Sequence, residues 1–313
     1  MPRRLILAFV VLFAAVSVPV VRAVLPPAHK GGASRAHAAQ AMASCAQRGR
    51  TGRYHLNLRF RGKPRSALVN VPPGATGRAR LPVMIALHGA GGWGEFMESG
   101  TGLTTHANRA HFISVYPNAA GKFWQLTGKG EAGREDVEFI GAMLDELARV
   151  SCMDSQRVYV TGASNGAGLV ARVGCELSSR VAAIAPVSGG YYRLPPCRPD
   201  RPVSVLEVHG TADTTVPYGG KYGEGSVPSF LSAWRGFDRC TGAAKYSHVA
   251  AHVLRVDWPR CAAATEVAHL KILGGHHAWQ GTPIGGDDDY VHISTQHEVV
   301  AFFRGKRLAA PGA

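Results

Sequence analysis

Apolar residues occur along the chain in short runs that predict the strands of a buried sheet. Alternation of apolar and polar residues over Tyr54–Phe60 and Ser66–Val71 predicts an antiparallel hairpin at a sheet edge. Nearly continuous apolar runs are typical of parallel strands covered on both faces. Such runs occur at Pro82–Leu87, Phe112–Tyr116, Arg157–Val160, Val181–Val187, Val203–Val208 and Val267–Ile272.

Between these runs the apolar spacing changes to that of helices. Over Glu135–Val150 the apolar residues recur every three or four positions, and further helices are predicted at about 166–177 and 292–303. Strands that alternate with helices predict an α/β fold, a mostly parallel twisted sheet with helices on both faces. Sites in such sheets form beyond the carboxyl ends of the strands, so the residues after each run are the candidates.

The two ends of the chain differ in composition from its middle. Residues 1–23 combine Arg3 and Arg4 at the start, an apolar stretch, and small or aliphatic residues around Arg22 at the end, which predicts a cleaved signal peptide; an uncleaved anchor is the alternative. Residues 24–44 are rich in Ala, Gly and His, which predicts a flexible lead-in. We therefore expect a secreted protein without stable membrane insertion, with one folded domain over 45–306 and a tail over 307–313.

Six cysteines are present, and export favours disulfides over metal or redox chemistry. None lies in a Cys-x-x-Cys pair. Six cysteines can pair in many ways, and the sequence alone does not decide between these pairings. Position favours three pairs, namely Cys175 with Cys197, Cys240 with Cys261, and Cys45 with Cys152, and a partly reduced set is the alternative.

The chain is strongly basic, with a formal net charge of +14. Removing Arg3, Arg4 and Arg22 with the leader lowers this charge to +11. Such a balance favours loose attraction to anionic surfaces such as a cell wall. A nucleic-acid partner is not expected, because the basic residues are scattered and no known binding motif interleaves them with aromatics.

The residues Gly162-Ala-Ser-Asn-Gly166 directly follow the apolar run Val158–Val160. A serine at a tight strand-to-helix turn needs glycine neighbours, because a Cβ there would collide with the strand or the helix. Ser164 is therefore the candidate nucleophile.

A glycine-rich loop, His88-Gly-Ala-Gly-Gly92, follows the run that ends at Leu87. Its backbone can turn N–H groups towards a developing oxyanion. We expect the N–H groups of Ala90 and Asn165 to be the two donors. His88 itself is predicted to be a buried structural hydrogen-bonding residue rather than a base.

Two later loops offer an acid and a base. Asp213 follows the run Val203–Val208, where it could orient a histidine or simply cap a turn. The loop 274–279 presents His276 and His277, one of which should be the general base. Serine, acid and histidine then occur in the chain order used by α/β-hydrolases. A metal site at the histidine pair is the alternative, but no clustered Cys or carboxylate ligands accompany it, so no metal is expected.

Some features carry less weight. The acidic run Asp287–Asp289 could hold calcium, but a solvated loop is the favoured interpretation. Trp124, Trp279 and Tyr218 could line a substrate pocket or belong to the core.

Taken together, these motifs resemble the secreted esterase family that holds single-domain polyhydroxybutyrate depolymerases and related feruloyl and acetylxylan esterases. The matching segments are 87–92, 136–139, 152–162, the serine turn, 209–213 and the histidine loop. The family's histidine motif resembles Gly-His-x-Trp-Pro-Gly, which makes His277 the base. This chain departs from it at His276, where glycine is usual, and at Gln280, where proline is usual. Ala167 also stands where a second glycine is frequent.

The resemblance implies an α/β-hydrolase fold, no cofactor, and a Cys240–Cys261 disulfide. We expect a serine carboxylesterase that forms an acyl-enzyme through Ser164, His277 and Asp213. Hydroxyalkanoate oligomers and feruloyl or acetyl esters of plant polysaccharide both remain candidate substrates. The alternatives are an acyltransferase on the same scaffold and a catalytically silent cell-surface binding protein.

Overall fold

A ten-stranded sheet organises the part of the chain that the structure, a computed structural model, describes. The described residues are 49–75, 79–127, 130–192, 194–196, 198–221, 225–282, 284 and 292–309. All of them belong to one compact unit, Gln40–Ala313. The predicted signal peptide and lead-in, Cys45, Cys197 and Asp287–Asp289 lie outside the described residues.

Six parallel strands form the centre of the sheet, and antiparallel strands complete both edges. The strands are β1 (Gly52–Phe60), β2 (Lys63–Val71), β3 (Leu81–Leu87), β4 (Ile113–Pro117), β5 (Met153–Ala163), β6 (Ala183–Val187), β7 (Ser204–Gly210), β8 (Lys245–Ala250), β9 (Val253–Trp258) and β10 (Val267–Ile272). Their order is β1-β2-β4-β3-β5-β6-β7-β10-β9-β8, in which β4 to β10 are the parallel neighbours.

Helices cover both faces of this sheet, which confirms the predicted α/β class. They are α1 (Gly94–Thr101), α2 (Leu103–Arg109), α3 (Gly130–Val150), α4 (Asn165–Glu176), α5 (Val227–Phe237) and α6 (Thr295–Phe303), and a 3₁₀ turn is present at Ala262–Ala264. Apolar residues of α3, α4 and α5 join the core on one face, and those of α1, α2 and α6 join the core on the other.

The central strands divide their side chains between these two cores. In β3, Val83, Ile85 and Leu87 belong to the core under α3 and α4, whereas Met84 and Ala86 belong to the opposite core. Successive side chains of a strand point to opposite faces, so a strand covered on both sides must be apolar throughout. This is why the sequence signal was a continuous apolar run.

The structure differs from the predicted elements mainly at their ends. β5 begins at Met153 rather than at Arg157, because its first half is polar and partly exposed and lacks an apolar run. α6 begins at Thr295 rather than at 292, because the Ser294 side chain caps it by accepting a hydrogen bond from His297 N–H at 3.3 Å. The β8–β9 hairpin and the helices α1, α2 and α5 were not predicted; β8 is almost wholly exposed.

The folded part extends past the predicted boundary at residue 306. Leu308 N–H donates to the Gln156 carbonyl at 2.9 Å, and the Ala309 carbonyl accepts from Arg201 Nη1 at 3.2 Å. Residues 307–309 therefore pack on the domain and are not a free tail. No helix in the described ranges has the length and apolarity needed to cross a membrane.

A disulfide joins Cys240 to Cys261 and so connects the turn after α5 to the segment after β9. Closing a loop of this length stabilises a fold by about 3 kcal/mol when the bond is unstrained. Cys152 and Cys175 are also disulfide-bonded. Their predicted partners, Cys45 and Cys197, lie outside the described residues.

Asp238, directly after α5, is a carboxyl group with no exposed surface. Its Oδ1 accepts a hydrogen bond from Val203 N–H at 3.0 Å. Burial raises the pKa of Asp238 from 3.8 to about 7, and the hydrogen bonds offset this only in part. The folded protein therefore holds this proton more tightly than the unfolded chain does.

We predict that Asp238→Asn weakens the pH dependence of stability. Because the folded pKa lies above the unfolded one, the protonated carboxyl contributes stability at low pH that is lost as the pH rises towards 7. Between pH 5 and pH 8 the wild-type free energy of unfolding should fall by about 2 kcal/mol relative to the variant. Urea unfolding at both pH values measures this difference. The same change in the free energy of unfolding between pH 5 and pH 8 in both proteins would contradict the prediction.

Candidate active site

Ser164 lies between the end of β5 and the start of α4, in a sharp turn. Its φ of 54° and ψ of −116° place a non-glycine residue in a sparsely populated conformation. The turn is held because Ser164 N–H donates to the Val187 carbonyl at 2.9 Å and the Ser164 carbonyl accepts from Gly168 N–H at 3.1 Å. The side chain is therefore presented beyond the carboxyl end of a central parallel strand.

The glycines on either side of Ser164 are required by the closeness of β3. A Cβ on Gly166 would lie 2.4 Å from the His88 carbonyl oxygen, and one on Gly162 would lie 2.8 Å from the Leu87 carbonyl oxygen. Such distances are far below van der Waals contact with backbone atoms. The collision expected from the sequence motif is thus present, and its partner is the end of β3.

The glycine-rich loop after β3 runs beside Ser164. A Cβ on Gly89 would lie 3.6 Å from Ser164 Cβ. Gly91 N–H donates to the Lys122 carbonyl and Gly92 N–H to the Gly89 carbonyl, so these two donors are used within the scaffold. Neither Ala90 nor Asn165 donates its N–H to another group of the described residues. These are the two donors that the sequence motif predicts for an oxyanion.

His88 is a buried structural residue, as the sequence predicted. Its Nε2 accepts from Ala119 N–H at 3.3 Å, so its Nδ1 carries the proton and donates to the Gly89 carbonyl at 2.8 Å. Burial lowers the pKa of His88, which keeps the ring neutral. The ring thereby fixes the first turn of the glycine-rich loop.

Asp213 and His277 form a hydrogen-bonded pair at the same edge of the sheet. His277 Nδ1 lies 2.7 Å from Asp213 Oδ2; the Asp213 side chain is fully buried, whereas the His277 ring is 24% exposed. Asp213 Oδ1 accepts from the N–H groups of Thr215 and Val216 at 2.9 and 2.7 Å. Burial raises the pKa of Asp213, but the hydrogen bonds from His209 and His277 outweigh it, so the pKa lies well below the usual range.

Close packing between loops brings this pair to the serine side of the sheet. A Cβ on Gly210 would lie 2.2 Å from the Gly275 carbonyl oxygen, so the acid and histidine loops touch. Ser188, which follows β6, donates its hydroxyl to the Ala278 carbonyl at 3.2 Å. Because Val187 holds the Ser164 backbone and Ser188 holds the residue after His277, the end of β6 links the two loops.

Asp136 explains a motif to which sequence reasoning gave no role. Its Oδ1 lies 2.8 Å from Arg65 Nη2 in a fully buried ion pair, and its Oδ2 accepts from Gln125 N–H at 2.8 Å. The preceding residue, Trp124, donates its backbone N–H to Asn165 Oδ1 at 2.7 Å. Asp136 therefore anchors the loop that braces the first residue of α4.

The three aromatic residues predicted for a pocket occupy different environments. Trp124 is 2% exposed and donates its Nε1–H to the His88 carbonyl, under the glycine-rich loop. Trp279 is 1% exposed, in the core beneath the histidine loop. Tyr218 is partly buried, and its hydroxyl lies 3.1 Å from His269 Nε2. Their contact with substrate stays a prediction.

Three exposed aromatic side chains near the glycine-rich loop were missed. Trp93, Phe96 and Phe123 are 53%, 43% and 62% exposed. Trp93 and Phe96 pack ring against ring at 5.4 Å, and Phe123 follows Lys122, whose carbonyl binds the glycine-rich loop. The signal was present, since Trp93 directly follows the loop motif and Phe123 precedes Trp124.

A buried polar pair, Glu207 and His209, was also missed. Both side chains are fully buried on β7, and His209 lies next to Asp213. The available signal was a charged residue within an otherwise apolar strand. No group of three or more His, Cys, Asp or Glu side chains in the described part of the chain is arranged to hold a metal ion.

The strand order is that of the α/β-hydrolase fold, and the serine turn, the buried acid and the histidine lie at the carboxyl edge of its sheet. A solved acetyl xylan esterase from Aspergillus awamori shares the fold, with a TM-score of 0.57 at 16% identity, covering 80% of this chain and 99% of that one. At such low identity the likeness concerns the fold alone.

Residues 65–194 match the family model described as esterase PHB depolymerase. It is 28% identical over 244 residues to feruloyl esterase B of Piromyces equi, an alignment covering 71% of this chain and 44% of the relative. It is 25% identical over 217 residues to a bifunctional acetylxylan esterase/xylanase of Neocallimastix patriciarum, covering 67% and 31%. The chain thus spans less than half the length of these relatives.

We predict that Gly166→Ala strongly destabilises the protein. The added Cβ would collide with backbone atoms of Leu87, the last residue of β3, and of His88, which follows it, and this backbone cannot move easily. A loss of about 2–4 kcal/mol is expected from overpacking of this kind. The control is Gly121→Ala, where a Cβ meets nothing within 4 Å. Denaturant unfolding compares the two, and similar stabilities would refute the prediction.

Proposed function

We propose that this protein is a carboxylesterase whose nucleophile is Ser164, whose general base is His277 and whose orienting acid is Asp213. The observation that carries the proposal is the 2.7 Å hydrogen bond between buried Asp213 and His277 at the carboxyl edge of the sheet. Ser164 stands at the same edge on a strained turn. A carboxylate in this position fixes the imidazole with Nδ1 protonated and leaves Nε2 free to accept a proton.

In the acylation step, Ser164 Oγ forms a bond to the ester carbonyl carbon while its proton passes to His277 Nε2. Asp213 stabilises the resulting imidazolium without taking the proton itself. The former carbonyl oxygen becomes an oxyanion, which the N–H groups of Ala90 and Asn165 bind; each such donor contributes about 3–4 kcal/mol. The C–O bond then breaks, and the alcohol leaves with the proton from His277. Water repeats the sequence on the acyl-enzyme and releases the acid.

The proposed substrates are 3-hydroxyalkanoate oligomers or feruloyl and acetyl esters of plant polysaccharide. The match of residues 65–194 to the esterase PHB depolymerase model supports the first class, and the two relatives named above support the second. The exposed rings of Trp93, Phe96 and Phe123 support a substrate with apolar or aromatic parts that extend past the reacting ester. Rates on methyl ferulate, acetylated xylan and 3-hydroxybutyrate oligomers, measured side by side, separate the classes.

We further propose that the protein acts outside the cytosol. The Cys240–Cys261 disulfide supports this location, because such bonds persist in oxidising compartments. The basic N-terminal residues followed by an apolar stretch support export by a signal peptide.

Ser164→Ala should abolish turnover while leaving the fold intact. Removing the nucleophile should lower kcat on a chromogenic short-chain ester by about 10⁴ to 10⁶. The matched control is Ser155→Ala, an exposed serine of β5, which should retain wild-type rates. Retained activity in the Ser164 variant would exclude this serine as the nucleophile.

A fluorophosphonate probe tests the same serine without a substrate. The wild-type protein should label and Ser164→Ala should not. A wild-type protein that fails to label would instead favour a silent surface protein. Product analysis with a sugar acceptor present distinguishes hydrolysis from acyl transfer.

We propose that attraction to anionic polymers involves a basic cavity remote from Ser164. This cavity, of about 620 Å³, lies near the amino end of β3, and four arginines line it: Arg80, Arg109, Arg157 and Arg304. Arg157 pairs with Asp154, whereas the other three have no acidic partner among the described residues. Unpaired guanidinium groups around one cavity favour carboxylate or phosphate groups of a polymer.

Arg109→Gln combined with Arg304→Gln should elute from immobilised polygalacturonate at lower salt than the wild-type protein. A control with the same loss of charge is Arg59→Gln combined with Lys245→Gln, two exposed sites outside the cavity. Equal shifts for the two double variants would show that the attraction is diffuse and does not use the cavity.

A further inference from the structure

A continuous chain of buried polar side chains extends from His277 into the sheet. Asp213 Oδ2, which binds His277, also lies 3.3 Å from His209 Nε2, and His209 Nδ1 lies 3.0 Å from Glu207 Oε1. The side chains of Glu207, His209 and Asp213 have no exposed surface. Three ionisable groups without solvent must compensate one another, because an unpaired buried charge is very costly.

Strand geometry places the first two members side by side. Glu207 and His209 are two positions apart on β7, so they share the face that packs under α5. In the register of the parallel pair β7–β10, His269 stands opposite Glu207 and Lys271 opposite His209. The titratable and charged groups around His209 are Glu207, Asp213, His277, His269, Lys271, Tyr191 and Tyr218.

Both ring nitrogens of His209 face groups that can only accept hydrogen bonds. Nδ1 faces the Glu207 carboxylate, and Nε2 faces the Val216 carbonyl at 2.9 Å and the Asp213 carboxylate at 3.3 Å. A neutral imidazole has one N–H and would turn a lone pair towards one of these acceptors. The surroundings therefore favour the doubly protonated imidazolium. Burial lowers the pKa of His209, but the hydrogen bonds with Asp213 and Glu207 outweigh it and raise the pKa to about 10.

Glu207 is held as a carboxylate by its own set of contacts. Its Oε1 accepts from Tyr191 Oη at 3.0 Å in addition to His209, and His269 Nδ1 lies 2.8 Å from its Oε2. Burial raises the pKa of Glu207, yet the hydrogen bonds from His209 and His269 bring it down to about 2. The group carries its charge throughout the neutral pH range.

The charges of this cluster sum to that of one carboxylate. Glu207 and Asp213 are negative and His209 is positive, so these three side chains together carry one net negative charge beside His277. Without the His209 cation, two buried carboxylates that do not compensate each other would lie beside His277. Without the His209 N–H, Asp213 Oδ2 would lose the donor that fixes it beside His277.

We propose that His209 and Glu207 are positioning residues for the candidate triad: the His209 cation, compensated by Glu207, holds Asp213 ionised and oriented and sets the pH range in which His277 can act as base. The kinetic part of this inference rests on the proposed function. The charge state of His209 does not, and it can be measured on the resting protein.

The first experiment is ¹⁵N NMR of protein labelled at histidine nitrogens, at pH 8. His209, identified by the signal that disappears in His209→Gln, should show both ring nitrogens protonated, at a pH where an ordinary histidine is neutral. A singly protonated His209 ring at pH 8 would overturn the proposal. This readout needs no substrate and no activity.

The second experiment compares the pH profiles of kcat/KM for His209→Gln and for the double variant Glu207→Gln/His209→Gln. Glutamine can still donate to Asp213 but carries no charge. In the single variant the acid limb should move to higher pH by about one unit, because His277 then faces two carboxylates. In the double variant one carboxylate remains, and the limb should return towards the wild-type position.

A purely structural role for His209 predicts a different result. Loss of packing alone would lower kcat or Tm in both variants and leave the acid limb unmoved, and that outcome would overturn the proposal. If His209→Gln does not fold, the double variant, in which these three positions keep the wild-type net charge, supplies both the NMR assignment and the profile. The acid limb of the double variant's pH profile should then match that of the wild-type protein. A limb displaced by about one pH unit would overturn the inference that Glu207 and His209 compensate each other's charge.

If Ser164→Ala stays active, the proposed function fails while the NMR result for His209 stands.

Discussion

The close approach of β5 to β3 at the carboxyl edge of the sheet is the constraint on which the rest of the site depends. Only glycine fits at 162 and 166, because the Leu87 and His88 backbone lies within 3 Å of any Cβ there. This closeness forces the chain to turn sharply at Ser164 and brings the glycine-rich loop alongside it. The position of the serine is thus fixed by the close packing of backbone atoms in the central strands.

A second constraint is electrostatic, since several charged groups lie where water cannot reach them. Arg65 with Asp136, and His209 with Glu207 and Asp213, are buried in pairs or clusters whose charges compensate. Such pairs rarely add net stability, because desolvation offsets the attraction. Their contribution is to orientation: one anchors the loop beside α4, and the other fixes the acid that binds His277.

Local signals in the sequence identified much of this architecture, and their failures have physical causes. The central strands were found because burial on both faces demands continuous apolar runs. The β8–β9 hairpin was missed because an exposed edge strand such as Lys245–Ala250 has no buried face and therefore shows no alternation of apolar and polar residues. α6 was placed three residues too early because its start depends on a cap, Ser294, rather than on apolar spacing.

By itself, the sequence determined the fold class, the serine turn, and the candidate residues Ser164 and Asp213, because glycine spacing, strand ends and chain order can be read along the chain. The family resemblance added the choice of His277 over His276. Only the tertiary structure decided that Asp213 binds His277 at 2.7 Å, and that Glu207 and His209 continue that contact into the core. These contacts join residues that are distant in the chain or hidden within an apolar run. Their partners are chosen by strand register and loop packing, which no local pattern encodes.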